Sequence, residues 1–432
     1  MKCLKSYIKK IVPTAFWNKL HITRVNVRLL PFRKEAEKTA KQVRIKEKPL
    51  NVLFFAIYES MWKYDSLCQR MLKDPNFNPL ILVCALKTED EDYMIDTMQK
   101  CGSRFENAGY QVIYAYNKDT KTYLDPHQLK PDIIFYTRPY SHEVNYLYSI
   151  EHNKDILSCY VNYFYITMKN AWAGLVSFQN IVWRYYLEYP LFGKQIREIQ
   201  FPLRFNGKVT GYPLFDSFRE HVVSKEDWPV GGKRKKRIIW APHHTINSNN
   251  NLMVALSTFE TYYDFMLKMA EQYKDEIQIV FKPHPLLKQN LYNANEWGRE
   301  RTDAYYERWA TGENTAFVNG AYVGLFVASD AMIHDCNSFT VEYLAVNKPA
   351  MFLDSCLADE TLNQAAKEAR ACYYKGCSEE DIENFIKMII EGGKDELIEK
   401  REAFYKNYIL PPNGKLAAEN IIDDLLTSLG RK

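Results

Sequence analysis

Apolar runs and amphipathic stretches alternate along most of this chain. Asn51–Tyr58, NVLFFAIY, is almost continuously apolar and predicts a buried strand. Trp62, Leu67 and Met71 then recur at helical spacing over Trp62–Leu72. Leu80–Leu86 predicts a second strand, Gln111–Tyr116 a third and Ile133–Tyr136 a fourth, with an acidic helix start at Thr88–Glu91. Residues 157–190 are rich in aromatics, among them Tyr160, Tyr163, Trp172 and Trp183, and predict a strand and helices. Val209–Pro213 ends this half. The pattern restarts at Arg237–Pro242, with a helix over Thr258–Gln272, a strand over Ile277–Phe281 and further strands ending at Ile333 and Leu353. Helices over Glu380–Glu391, Asp395–Tyr405 and Leu416–Leu429 follow. Strands alternating with helices predict an α/β protein built on parallel, doubly wound sheets. A Pro/Gly-containing, charged stretch separates the halves. The boundaries read as an arm over 1–48, a domain over 49–223, a linker over 224–236 and a second domain over 237–432.

The stretch GLFVASDAMIHDCNSFTVEYLAVNKPAMFL, Gly324–Leu353, is the most informative. His334-Asp335-Cys336-Asn337-Ser338 is too polar and turn-prone to continue the apolar run before it, and a helical pattern begins at Phe339. The turn thus falls at a strand's C-terminal end and a helix's N-terminal end, where open parallel sheets bind ligands. Free N–H groups and the helix macrodipole favour a phosphate there. Ser338 and Thr340 add hydroxyls, and Glu342 stands one turn in, in reach of ribose hydroxyls. The structural alternative is that Asn337 or Ser338 simply caps the helix.

Two more loops occupy equivalent places. His243-His244-Thr245 follows the strand ending at Ala241, and Lys282-Pro283-His284 follows the strand ending at Phe281. Strand ends of a doubly wound sheet point the same way, so the three loops are expected to converge. Imidazole, ammonium, hydroxyl and N–H groups together suit a diphosphate and the charge that develops on a leaving group. A pKa near neutrality also suits His243 and His244 to proton transfer.

Composition narrows the class. At 432 residues and 47% hydrophobic, two or three globular domains are expected. No segment offers the roughly 20 apolar residues of a membrane span. Nine cysteines without a CxxC pair read as free thiols of a reducing compartment. Nine histidines without HExxH or HxH spacing give no metal motif, and no DxD stands at a strand end. The net charge of +4 hides an asymmetry: residues 1–48 hold fourteen Lys or Arg against three acids, a balance of +11 that leaves −7 for the rest. Leu4, Ile8, Ile11 and Val12 recur at helical spacing among these lysines, so the arm is expected to lie on an anionic membrane surface. Nucleic acid is not an expected partner, because the body of the chain is acidic and shows none of the known modules. The reading is a cytoplasmic protein, peripheral at the inner face of the cell membrane.

At these residues the chain resembles a family. APHHTI, FKPHP and SDAMIHDCNSFTVEYLAVNKPAMFL are similar to the C-terminal domain of the CDP-glycerol glycerophosphotransferase-like proteins, the relatives of the teichoic-acid polymerases. The last motif is also similar to the nucleotide-binding turn of the UDP-N-acetylglucosamine 2-epimerases. The resemblance implies a GT-B fold, two Rossmann-like domains facing a cleft, with the acceptor on 49–223 and the nucleotide donor on 237–432. It implies that His284 and the segment Ser338, Phe339 and Thr340 hold the donor phosphates and that Glu342 contacts the ribose. His243, Thr245 and Lys282 complete the expected donor site.

One departure matters. The polymerases carry a WHG-type motif whose histidine is the proposed base. The corresponding region here, Tyr163–Trp172, contains no histidine. The catalytic candidates are therefore His284, His244 and Glu59, with Asp65 also close behind the first strand. The expected activity moves a polyol phosphate, or a sugar, from a CDP- or UDP-linked donor to a cell-surface polymer or lipid-linked acceptor, without a metal or cofactor. A sugar-nucleotide epimerase and a non-catalytic scaffold for polymer assembly are the alternatives.

Overall fold

A computed structural model describes residues 14–46, 49–88, 90–167, 176–246, 257–336, 339–354 and 362–431. They form two compact units. The first draws on residues within 1–164, 170–216 and 410–432, the second on residues within 165–169 and 217–409.

The first unit is built on seven strands: β1 (Leu50–Ala56), β2 (Phe77–Val83), β3 (Val112–Tyr114), then, past a small antiparallel pair β4 (Tyr116–Asn117) and β5 (Thr122–Tyr123), β6 (Ile133–Tyr136), β7 (Leu157–Val161), β8 (Arg184–Leu187) and β9 (Gly207–Val209). Their order is β3-β2-β1-β6-β7-β8-β9, with every pairing parallel. Every residue of β6 and β7 is buried, as strands covered on both faces must be.

The second unit carries β10 (Lys236–Ala241), β11 (Ile277–Phe281), β12 (Thr315–Phe317), β13 (Ala331–His334), β14 (Ala350–Leu353) and β15 (Tyr374–Gly376). The order is β12-β11-β10-β13-β14-β15, again parallel throughout. The order reverses between β10 and β13, the position where doubly wound sheets open a ligand crevice. Aromatic packing holds this sheet to its helices. Trp240 and Trp309 are fully buried with ring centroids 5.5 Å apart, and Phe281 lies 5.2 Å from Trp309. Each such pair adds about 0.5–1.5 kcal/mol beyond burial.

Several expected boundaries shift. β2 begins at Phe77, three residues before the predicted Leu80, and runs through Pro79. Pro79 is tolerated because β3 pairs with β2 only from Ile81 onward, so no second strand flanks the missing N–H. The first helix starts at Asp65, because Trp62 is extended and donates its Nε1–H to Asp65 Oδ1 at 2.7 Å. The predicted linker 224–236 is packed on the second unit. Trp228 is buried and donates to Gln278 Oε1 at 2.8 Å, satisfying a polar side chain inside β11.

Both flanking regions of the chain also differ from expectation. The helix Ala417–Ser428 belongs to the first unit, not to the second domain. Its free N-terminal N–H groups on Ala417 and Ala418 donate to the buried carboxylate of Asp216 at 2.9 and 2.8 Å. The expected arm is a helix, Thr14–Arg44, integrated into the first unit; Leu4, Ile8, Ile11 and Val12 lie outside the described residues. Ala36, Thr39, Ala40 and Val43 recur at helical spacing and are buried. Asn26 donates to the carbonyls of Ile199 and Phe201 at 2.8 and 2.9 Å, and Arg33 to that of Val182 at 2.6 Å. The opposite face, with Arg24, Arg28, Lys34, Lys38 and Lys41, is exposed. Among the described residues, no helix is long and apolar enough to cross a membrane.

Candidate functional site

The strand register brings the predicted loops of the second unit to one level. Trp240 pairs with Phe281, and Ala241 with His334, so the chain leaves β10, β11 and β13 side by side. His243, His244 and His284 come together. Their ring centroids are 4.3 Å apart for His243–His244, 4.3 Å for His244–His284 and 5.3 Å for His243–His284. The His284 N–H donates to the Pro242 carbonyl at 2.9 Å, tying the β11 loop to the β10 loop. Asp335, just past β13, accepts from the His243 N–H at 2.5 Å and from Thr258 Oγ1 at 2.8 Å. Burial pushes this carboxyl up to about 6.

Each imidazole has its Nδ1 used as an acceptor. Thr245 N–H donates to His243 at 3.3 Å, Leu286 N–H to His284 at 3.2 Å and the Asn290 amide to His244 at 3.3 Å. In the neutral ring the proton then sits on Nε2. Burial, with His244 and His284 beside it, pushes His243 down to about 3. Burial, His244 and Lys282 do the same to His284, also to about 3. Burial lowers His244 as well. The site therefore presents three neutral imidazoles, each an N–H donor through Nε2. His284 also lines an open recess of about 200 Å³ with Pro283, Lys288, Tyr292, Tyr306 and Phe317.

The other predicted residues form a second group. Lys282 is buried, with its Nζ 5.8 Å from the Tyr322 ring and 6.0 Å from the Phe339 ring. Tyr322 donates its hydroxyl to Glu342 Oε2 at 2.6 Å. Phe339 packs on Tyr322 and Phe326, a core role. Thr340 is buried, and its hydroxyl donates to the Cys336 carbonyl at 3.4 Å, one turn back along its own chain. Thr245 accompanies His243. Ser338 lies outside the described residues. His334 is part of β13, packed between Phe352 and Tyr373. Tyr322, Asn290 and Asp335 do not figure among the predicted site residues. Tyr322 follows β12, so the strand-end rule that found the histidines points to it too.

Residues 182–425, more than half of the chain, match the family described as CDP-Glycerol:Poly(glycerophosphate) glycerophosphotransferase. The chain belongs to this family. It is a nucleotide-donor transferase of the glycerophosphotransferase type. Comparison with curated proteins finds no match. Solved structures share the fold at low identity. One is the wall teichoic acid polymerase TagF, H444N variant soaked with CDPG, at 12% identity, TM-score 0.55, 96% of this chain and 98% of that one. Another is UDP-GlcNAc 2-epimerase from Neisseria meningitidis bound to UDP-GlcNAc, at 14%, TM-score 0.56, 88% of this chain and 100% of that one. A third is S. aureus MnaA with UDP, at 14%, TM-score 0.53, 89% of this chain and 97% of that one. These neighbours are GT-B enzymes, and each unit here has the doubly wound sheet of that fold.

In this family member the first unit has its own strand-end residues. Glu59 follows β1 as predicted but is paired with Arg104, Oε1 to Nε, at 3.3 Å. Asp65 accepts from Trp62 and from the Tyr110 hydroxyl, at 2.7 and 3.0 Å, at the start of its helix. A different carboxylate stands out. Glu188 directly follows β8 and is 3% exposed. Its Oε1 accepts from Asn162 Nδ2 at 2.7 Å, at the end of β7, while its buried Oε2 has no hydrogen-bond partner among the described residues. Burial raises its pKa to about 7. No motif marks it in the sequence; its place beside Asn162 follows from the adjacency of β7 and β8.

Proposed function

We propose that this enzyme transfers a polyol phosphate from a CDP-linked donor, CDP-glycerol first, to a hydroxyl of a cell-surface polymer or lipid-linked acceptor in teichoic-acid-type assembly. The observation that carries the reading is the set of three neutral imidazoles at the sheet's switch point. Their Nε2–H groups suit a diphosphate, and His284 and His244 suit the charge that develops on the departing nucleotide. Lys282 adds to phosphate binding, as does Ser338, which lies outside the described residues, and Glu342, oriented by Tyr322, takes the ribose hydroxyls. His243, Thr245 and Thr340 shape the loops that carry these groups. The acceptor oxygen bonds to the polyol-bearing phosphorus, its proton passes to a carboxylate, and the P–O bond to CMP breaks with the electron pair on CMP. We assign the proton to Glu188 and not to Glu59, whose charge is already met by Arg104. The reaction in this reading uses no cofactor and no metal.

Product analysis tests the reading. Incubation with CDP-glycerol, other CDP-polyols and UDP-sugars is expected to release CMP from a CDP-polyol. Release of UDP, or conversion of a UDP-sugar without nucleotide release, overturns it in favour of a glycosyl transferase or an epimerase.

The exposed basic face of Thr14–Arg44 is proposed to hold the enzyme on an anionic membrane surface. A variant with Arg24, Arg28, Lys34, Lys38 and Lys41 all changed to Gln keeps the buried face intact. It is expected to melt within a few degrees of the parent and to lose sedimentation with phosphatidylserine vesicles, since each such residue contributes about 1 kcal/mol before screening. Vesicle binding equal to the parent's removes the membrane role.

A further inference from the structure

Two loops of the first unit, at the N-terminal ends of β6 and β7, gather two histidines and two aspartates. Asp125 caps the short turn Pro126–Leu129, its Oδ1 accepting from the His127 N–H at 3.0 Å. The same Oδ1 lies 2.8 Å from His127 Nδ1. Its other oxygen, Oδ2, lies 3.3 Å from His152 Nε2. One donor atom from each of Asp125, His127 and His152 falls within 4.8 Å of the others. The two rings stand 5.1 Å apart at 88°, so both nitrogens face the carboxylate without stacking.

We propose that Asp125, His127 and His152 bind a divalent transition-metal ion of the zinc class, with Asp155 as the carboxylate that orients His127. Ligand atoms about 2.0–2.2 Å from a tetrahedral ion lie roughly 3.3 Å from one another. Asp125 lies 2.8 Å from His127 Nδ1 through one oxygen and 3.3 Å from His152 Nε2 through the other, and one ligand atom of each residue lies within 4.8 Å of the others, so a shared ion draws the three side chains together. Asp155 Oδ1 is 3.1 Å from His127 Nε2. A histidine that binds metal through one nitrogen usually gives the other N–H to a carboxylate, which fixes its tautomer. Two nitrogen donors favour zinc-class ions over magnesium or calcium, which take oxygen.

The backbone around each ligand is already fixed. Pro126 is buried and starts the turn that holds His127. Asn153 is buried and donates to the carbonyls of Leu147 and Ser149, both at 2.8 Å, closing the turn that holds His152. Thr39 Oγ1 donates to the Asp155 carbonyl at 3.3 Å, joining the helix Thr14–Arg44 to the same spot. An ion here pins the turn before β6 to the turn before β7. It lies at the opposite strand ends from Glu188, so its role is structural. The sequence shows no compact motif because the ligands come from loops 25 or more residues apart.

The test uses the full chain, stripped with chelator and titrated with ZnCl₂ by calorimetry and thermal melting. Stoichiometry is compared between the parent and a His127→Ala/His152→Ala variant, so zinc held by His243, His244 and His284 cancels. The expected result is one more equivalent of zinc in the parent, with a rise in melting temperature that the double variant lacks. Asp155→Asn is expected to keep the site but weaken it by about 10–100-fold. Equal stoichiometry in parent and double variant, with both chains melting cooperatively, overturns the proposal. The cluster is then a hydrogen-bonded imidazole–carboxylate network only.

Discussion

His284→Ala is expected to lower turnover by roughly two orders of magnitude, as removal of one preorganised donor to a developing anion does elsewhere. The imidazole is held by its backbone N–H to Pro242 and by Leu286 at Nδ1, so its Nε2 is aimed before any ligand arrives. Preorganisation of this kind acts on the charge that forms as CMP leaves. The loss should therefore appear mainly in kcat, with a smaller change in KM. CMP release under saturating donor, together with a thermal melt, measures it. A folded variant with parental turnover removes His284 from the chemistry.

Glu188→Gln separates a base from a buried structural group. As a base, Glu188 must be ionised, so turnover of the parent rises with pH through about 7 and then levels. The glutamine variant should lose roughly 100- to 10,000-fold in turnover and lose that rising limb. Stability should move the other way. Burial raises the folded-state pKa of Glu188 above its ordinary value, so its stabilising contribution is complete below the ordinary carboxylate range and is lost as pH rises through about 7. Glutamine keeps an oxygen for Asn162 and carries no charge. The variant should therefore melt at or above the parent's temperature at pH 8. A stable variant with full activity and an unchanged pH profile leaves Glu188 as a buried side chain without a part in the reaction.

What the sequence revealed depended on whether neighbours in the chain are neighbours in space. β1 was legible because both its faces are buried, which makes Val52–Ala56 continuously apolar. The histidine loops were legible because a parallel sheet sends all its C-terminal ends one way. β2 was misplaced because Pro79 reads as a breaker unless the position of β3 is known. The helix Thr14–Arg44, expected as a basic arm on a membrane surface, was not legible as part of the first unit because its buried face is largely small and polar residues, Asn26, Ala36, Thr39 and Ala40, that carry little apolar signal. Glu188 and Asn162 are 26 residues apart, and only the pairing of β7 with β8 brings them together.

The contribution of both flanking helices to the first unit has a consequence for synthesis. Arg431 donates to the Val43 carbonyl across 388 positions of sequence, and Asp216 waits for the N–H groups of Ala417 and Ala418. The second unit lies almost wholly between these points. On the ribosome, at about 5–20 residues per second, roughly 10–40 s pass between the emergence of Asp216 and of its partners. Through that interval the second unit can close on itself, while the earlier-made one stays an open half with Asp216 and the surface under the last helix uncovered. The nascent chain is thus most in need of chaperone cover late in translation, and on its first-synthesised part.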